Sequence, residues 1–356
     1  MTRRSVKNVL HRIQNLPRGA DLLRYLANKG RLLALHLSRS ANVAYPPTIM
    51  FEVTNHCQLK CVTCPREYAF GKQMEKGFMD FERFKAVMDE AAPYLDSVGL
   101  TGLGETFLYQ DLLRAVEYVR AKNRGIRIFV STNAHLENSP EIVAQLVRER
   151  AIDTIQISID GVGEVYNRVR VHGDFAAFQY NVRQIVQIAA PTETKIMFNM
   201  VVLEENYAQM ADLLEFAHRE GVQYVNYTPL NLAAVTDKDL SYYRLFTSEK
   251  FLRELRRLRE TAERYPEMTC SPPNFSENRP FEICRFPWWH VYITWDGYLV
   301  PCCAKPFPKE LHFGNVFEDG LLNTLNSARF QQFRTLWLTR QIPPFCARCY
   351  GYTPSR

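Results

Sequence analysis

Residues 48–66, TIMFEVTNHCQLKCVTCPR, decide how this chain is read. The first seven, 48–54, are an apolar and β-branched run too short for a helix, and Pro46-Pro47 before them breaks any helical pattern. They predict a buried strand. Directly after it Cys57, Cys61 and Cys64 follow a C-x3-C-x2-C spacing, so three thiolates gather on one loop at the strand's carboxyl end. Thiolates at this density select zinc or an iron-sulfur cluster. Structural zinc wants four closed ligands, and no fourth Cys or suitably spaced His follows nearby, His56 being poorly placed inside the loop. Three cysteines on a four-iron cluster would leave one iron open to a cofactor or substrate. A zinc site with a distant fourth ligand is the other arrangement open to these residues.

Working outward, β-like segments at 97–101, 126–131, 154–159, 196–202 and 222–227 alternate with amphipathic stretches. Leu112, Leu113, Val116 and Val119 recur at helical spacing, as do Phe175, Phe178, Val182, Ile185 and Ala189. Ser139-Pro140 reads as the N-cap and first residue of another helix. Strand and helix alternating in this way predict an α/β fold with a parallel sheet, either open or wound as a partial (βα)6 barrel. In both, sites lie at the carboxyl ends of the strands. Past about residue 230 the rhythm fails: a helix-like segment at 248–264 leads into Pro- and Cys-rich sequence ending in Cys346-Ala347-Arg348-Cys349. The expected division is a basic helical extension (1–46), the partial barrel (47–235) and a small metal-assisted domain (236–356).

An apolar fraction of 46% and a charged fraction of 23% are ordinary for a globular chain of 356 residues. The net charge of +6 is unevenly spread. Residues 1–46 hold Arg3, Arg4, Lys7, Arg12, Arg18, Arg24, Lys29, Arg31 and Arg39 against Asp21 alone, leaving 35 basic and 37 acidic residues elsewhere. The body is close to neutral, which argues against nucleic acid as a partner. No apolar run is long enough to span a membrane, and no secretory pattern opens the chain. Nine cysteines in two sets, each with a C-x2-C pair, fit metal binding in a reducing compartment, so a cytoplasmic location is expected. Leu22, Leu23, Leu26, Leu33 and Leu37 can form an apolar stripe beside Arg24, Lys29 and Arg31. We favour a helix docked on the barrel with a solvated basic face; peripheral contact with an anionic membrane is the competing reading.

The first strand, its cysteine loop and the following βα units resemble the radical S-adenosylmethionine (radical SAM) superfamily across residues 48–230. That resemblance implies a four-iron, four-sulfur cluster on Cys57, Cys61 and Cys64 whose open iron is chelated by the methionine moiety of the cofactor. Reduction there releases a 5′-deoxyadenosyl radical that abstracts hydrogen from unactivated carbon. Gly102-Leu103-Gly104-Glu105 resembles the family's Gly-Gly-Glu motif, which implies that Gly102 and Gly104 admit the cofactor closely and Glu105 accepts from its ammonium group. Ser158 and Asp160 resemble the ribose-binding position, and Ser131, Asn133, Asn199 and Arg170 are further cofactor-site candidates. Two departures bear on adenine packing: Thr63 stands where an aromatic residue is usual, and the motif reads Gly-Leu-Gly-Glu-Thr.

Cys284, Cys302, Cys346 and Cys349, with PWW, ITWDGYLVPCC and FGNVF between them, resemble the SPASM and twitch extensions of radical SAM enzymes. Without the further cysteines of the full SPASM pattern, the resemblance implies one auxiliary four-iron cluster. A zinc ribbon on the same thiolates is the alternative. Cys303 and Cys270 are left over. Cys303 is either a neighbouring core thiol or a hydrogen-atom donor to a substrate radical.

The expected function is thus a radical SAM oxidoreductase or epimerase acting on a small polar metabolite such as a sugar or aminocyclitol, supplied with electrons by a flavodoxin or ferredoxin. A peptide-modifying SPASM maturase, or an enzyme for a lipid-linked substrate, is the second reading. A non-catalytic iron-sulfur or zinc scaffold binding RNA is the third, and it leaves Glu105 without a purpose.

Overall fold

A computed structural model describes residues 16–17, 19–148, 151–275 and 281–351. Arg3, Arg4, Lys7, Arg12 and Arg18 lie outside the described residues. Helix α1 (Ala20–Leu37) precedes strand β1 (Thr48–Phe51). Then follow α2 (Phe81–Ala91), β2 (Ser97–Leu100), α3 (Leu112–Lys122), β3 (Arg127–Thr132), α4 (Ser139–Leu146) and β4 (Thr154–Ser158). The series continues through α5 (Glu164–Val169), α6 (Phe175–Ala189), β5 (Lys195–Val202), α7 (Met210–Arg219) and β6 (Tyr224–Pro229) to α8 (Glu249–Arg264). All six expected strands form, and each pairs in parallel with the next.

Side-chain hydroxyls and carboxylates start several helices where the sequence offers them. Asp80 accepts from the Arg83 N–H at 2.8 Å, Asp174 from Ala177 at 2.8 Å and Ser248 from Phe251 at 3.2 Å. The expected Ser139 cap is corrected by one position: Ser139 is already the first helical residue, Asn138 occupies the cap, and the Ser139 hydroxyl is buried.

The C-terminal segment adds strands on both sides of the six. Strand β7 (Thr269–Ser271) pairs in parallel with β6, while β8 (His290–Ile293) pairs in parallel with β1 and β9 (Leu299–Val300) runs antiparallel to β8. The resulting order is β7-β6-β5-β4-β3-β2-β1-β8-β9. Periodicity did not announce β7 or β8, because a three- or four-residue strand carries too little pattern to be recognised. Both cover backbone edges that β1 and β6 would otherwise leave open.

Along β3 to β6 burial alternates strictly. One face carries Val130, Ile155, Ile157, Phe198, Met200, Val225 and Tyr227, all buried in the core. The opposite face is mixed: Ser131, Gln156, Ser158, Asn199, Asn226 and Thr228 are half-buried there, together with Phe129, Lys195, Met197, Val201 and Tyr224. Sheets built from parallel strands are normally apolar on both faces, so the hydroxyls and amides toward the carboxyl ends of β3 to β6 make this a candidate ligand-facing surface.

Helix α1 docks as expected, but with the opposite face. Tyr25, Asn28 and Leu32 are the buried residues, whereas Leu23, Leu26, Leu33 and Leu37 are 71%, 53%, 55% and 73% exposed. Polar contacts decide this orientation: Tyr25 Oη and Lys29 Nζ reach Asp96 at 2.7 and 2.9 Å, and Asn28 exchanges two hydrogen bonds with the Tyr45 backbone.

Candidate active site

The cysteine loop leaves β1 at its carboxyl end and is fastened from two sides. Arg66, only 6% exposed, donates to the Asn55 and Leu59 carbonyls at 3.1 and 2.9 Å, closing the loop on itself. The Lys60 and Val62 N–H groups donate to the Val171 and Val169 carbonyls, tying it to the end of α5. Burial raises the thiol pKa of Cys57, Cys61 and Cys64, the last to about 12; Glu105 adds to the rise at Cys57, Cys57 adds to it at Cys61, and both other thiols add to it at Cys64. Arg66 opposes this at Cys57 and Cys64, and Arg170 opposes it at Cys61 and Cys57. Two buried guanidiniums therefore supply the positive charge that three thiolates need, which fits an iron-sulfur cluster held by these residues. Among the described residues no three His, Cys, Asp or Glu side chains converge as a single metal ion requires.

Glycine is essential where the motif loop meets the cysteine loop. A Cβ on Gly104 would stand 2.4 Å from the Thr54 carbonyl and 2.6 Å from that of His56. The Glu105 N–H donates to the same His56 carbonyl at 2.7 Å. The Glu105 carboxylate, 2% exposed, accepts from Phe107 N and Thr132 Oγ1 on one oxygen and from Asn133 N on the other. Burial still raises its pKa, and these donors lower it without cancelling the rise. With about four lone-pair sites on a carboxylate, one acceptor position is left over for a ligand. Asn133 also donates from Nδ2 toward Cys57 Sγ at 3.6 Å. Gly102, Gly104, Glu105, Asn133 and the cysteine loop thus meet in one place.

The other sequence candidates divide. Ser131 and Ser158 lie on the mixed face, with Gln156 Nε2 donating to Ser131 Oγ at 3.2 Å. Asn199 is there too, accepting from Asn226 Nδ2 at 2.7 Å. Asp160 is not an open ribose acceptor: it is fully buried, Oδ1 accepts from the Val201 N–H at 2.8 Å, and Arg170 Nε lies 2.8 Å from Oδ2. Asp160 and Arg170 form a buried ion pair behind the cysteine loop, with Thr63 Oγ1 3.5 Å from the same carboxylate. Carboxylate spacing after a strand looked like a sugar site because sequence does not reveal which partner reaches it first.

Sequence reasoning missed Glu52 and Tyr292. Glu52, fully buried on the residue after β1, accepts at Oε2 from Tyr292 Oη at 2.8 Å and from the Leu103 N–H at 3.1 Å. Gly102 packs against both, its hypothetical Cβ falling 2.4 Å from Glu52 Cγ and 2.7 Å from Tyr292 Oη. The only sequence signal was a carboxylate inside an apolar strand. Desolvation pushes Glu52 up to about 7 from 4.5, against the lowering by its two donors. Between those two pH values the folded chain holds a proton that the unfolded chain has released, so this group's contribution to stability falls as pH rises through that window. Glu52→Gln is expected to raise the urea midpoint at about pH 8, by at most ~3 kcal/mol, and to change it little at about pH 5. Equal shifts at both pH values would show that Glu52 does not titrate in this window.

In the C-terminal segment Cys284, Cys302, Cys346 and Cys349 interact electrostatically as one set, and Cys303 belongs to the same neighbourhood, facing Cys284, Cys349 and Tyr292. Burial pushes Cys303 up to about 11. Asn231 Nδ2 lies 3.6 Å from Cys349 Sγ. Cys270 sits apart on β7, paired with Val225. Five thiols therefore stand where the SPASM resemblance implies four ligands. Cys302→Ala is expected to remove roughly four irons per chain, with Cys303→Ala leaving iron content unchanged. The opposite result would exchange the two roles.

Comparison with known proteins fits this geometry. The Radical SAM superfamily profile matches residues 51–217, and the SPASM iron-sulfur cluster-binding domain profile matches residues 284–350. This chain is a radical SAM protein with a SPASM domain. Its cofactors are S-adenosylmethionine, a four-iron cluster and an auxiliary cluster. The subtilosin biosynthesis protein AlbA of Bacillus subtilis is 23% identical over 91% of this chain and 68% of its own length. The Fe-coproporphyrin III synthase of Methanosarcina barkeri is 30% identical, but the match takes in 42% of this radical SAM chain and only 36% of the synthase. Among solved structures, Streptococcus suis SuiB bound to S-adenosylmethionine superposes with a TM-score of 0.64 at 16% identity, covering 94% of this chain and 75% of SuiB. At that identity the likeness speaks to the fold. No described helix is long and apolar enough to cross a membrane.

Proposed function

We propose that this radical SAM enzyme abstracts hydrogen from a residue of a peptide substrate received on the mixed face of the sheet. The observation that carries the reading is the part of that face toward the carboxyl ends of the strands, where Ser131, Gln156, Ser158, Asn199, Asn226 and Thr228 offer neutral hydroxyls and amides, the cations Arg127 and Lys195 lying at the amino ends. Such groups suit the N–H and C=O groups of a peptide. They suit poorly a nucleoside triphosphate or a porphyrin bearing several carboxylates, which call for Arg or Lys. Matches to a probable GTP 3′,8-cyclase and to heme and coproporphyrin synthases therefore carry less weight than those to the subtilosin protein and the sporulation killing factor maturation protein SkfB. SuiB bound to a precursor peptide supports the same reading. A sugar or aminocyclitol would also find partners on this face.

When bound and reduced, the cluster and cofactor supply a 5′-deoxyadenosyl radical. In this reading Cys57, Cys61 and Cys64 hold the cluster, and Gly102, Gly104 and Glu105 receive the cofactor's amino group. Asn133, Ser131 and Ser158 line the cofactor's approach, and Cys284, Cys302, Cys346 and Cys349 hold the auxiliary cluster. Electrons come from a flavodoxin or ferredoxin. The barrel spans residues 47–235 and the auxiliary domain 236–356.

The test incubates the anaerobically reconstituted enzyme with dithionite, S-adenosylmethionine and deuterated peptides encoded beside its gene, and in parallel with deuterated sugars and aminocyclitols. Deuterium in 5′-deoxyadenosine and a mass change in a peptide are expected. Transfer from an aminocyclitol or sugar with none from any peptide would overturn the proposal.

A further inference from the structure

Helix α1 presents to solvent the apolar stripe that amphipathic helices ordinarily bury. Leu23, Leu26, Gly30, Leu33 and Leu37 are all exposed at alternating spacings of three and four residues, so they form one seam along the helix. Ala27 and Ala34, also exposed, widen it. Among the described residues, four of the seven exposed large hydrophobic side chains lie on this seam. Contiguous apolar surface of this kind marks an interaction site.

Charge identifies the occupant. Arg24 and Arg31, both exposed, run along one flank and His36 lies on the other, while Lys29 is turned to Asp96 and Asp21, the only acid in the helix, pairs with Arg24 at 3.3 Å. Arg39 follows the last turn, and the sequence before the helix adds Arg3, Arg4, Lys7, Arg12 and Arg18. Flanks of one sign repel a second copy of the same helix and attract an anionic surface. The seam also spans only two heptads and has Gly30 at its middle position, short of the three or four that a coiled coil needs.

We infer that α1 is a peripheral anchor that lays Leu23, Leu26, Leu33 and Leu37 into the interface of a bilayer rich in anionic lipid. The helix reaches this surface without unfolding anything, because Tyr25, Asn28 and Leu32 hold it to the barrel from the other side. Its contacts are with Asp96 and Tyr45, just ahead of β2 and β1, and Trp288, just ahead of β8, donates to the Ser40 carbonyl at 3.1 Å. The anchor therefore sits at the amino ends of the strands. The cysteine loop sits at their carboxyl ends, so the radical site faces away from the lipid, and a carbon buried in the bilayer is not its target.

Flotation of the full-length holoprotein with vesicles of phosphatidylcholine alone, and with about 30% phosphatidylglycerol, tests this. Binding is expected only to the anionic vesicles and is expected to weaken in high salt. Leu26→Glu with Leu33→Glu is expected to lower partitioning at least about ten-fold while unfolding midpoint and 5′-deoxyadenosine formation stay unchanged, because both side chains are exposed. Arg24→Glu with Arg31→Glu is expected to abolish the preference for anionic lipid. Absence of wild-type binding to anionic vesicles overturns the inference. So does a wild-type dimer in solution that the leucine substitutions convert to monomer, because the seam would then belong to a second copy.

Discussion

Replacing any one of Cys57, Cys61 or Cys64 by alanine is expected to abolish 5′-deoxyadenosine formation, lowering it by more than about a hundred-fold, while the chain stays folded. The loop is not held by its thiols alone. Arg66 closes it through two backbone carbonyls, and Lys60 and Val62 tie it to the end of α5. One lost thiol removes a ligand without removing these fastenings. Iron should fall by roughly four per chain, leaving the auxiliary complement on the C-terminal cysteines. Retention of both iron and turnover in Cys61→Ala would refute the assignment of the cluster to this loop.

The second large effect is on stability. Asp160 is fully buried and accepts from Val201 N–H while paired with Arg170, itself 8% exposed. Asp160→Ala strands a guanidinium and an amide in the interior, and a cost of about 3–5 kcal/mol is expected in urea unfolding. Arg170→Leu strands the carboxylate and is expected to cost a similar amount. Combining the two should recover part of the loss, because the penalty arises from leaving one charge alone. Additive losses in the double variant would mean that each residue acts through other neighbours. If Asp160 were instead an open ribose ligand, its substitution would weaken cofactor binding and spare stability.

These two sites differ in how far they could be read in advance. Ligand spacing is a local property, so the expectation for Cys57, Cys61 and Cys64 arises from one loop, and that for Glu105 from a four-residue motif at the end of the next strand. Asp160 was misassigned because its partner comes from a different loop and its burial from β5. Glu52 and Tyr292 are 240 residues apart, and nothing in either segment signals the other. Helix α1 repeats the lesson on a surface. Its leucines looked like a core face, yet Asp96 and Tyr45 hold the polar face inward.

The sequence by itself determined the six parallel strands, the family and the two cysteine sets. Each depends on short-range spacing, of apolar residues or of ligands, which the chain carries wherever it folds. Only the tertiary structure decided that the C-terminal segment extends the sheet beyond β6 and β1, that Asp160 answers to Arg170, that Cys303 stands among the other C-terminal cysteines and that the leucines of α1 face outward. Those depend on which buried polar group finds a partner, and that choice is made among residues far apart in the chain.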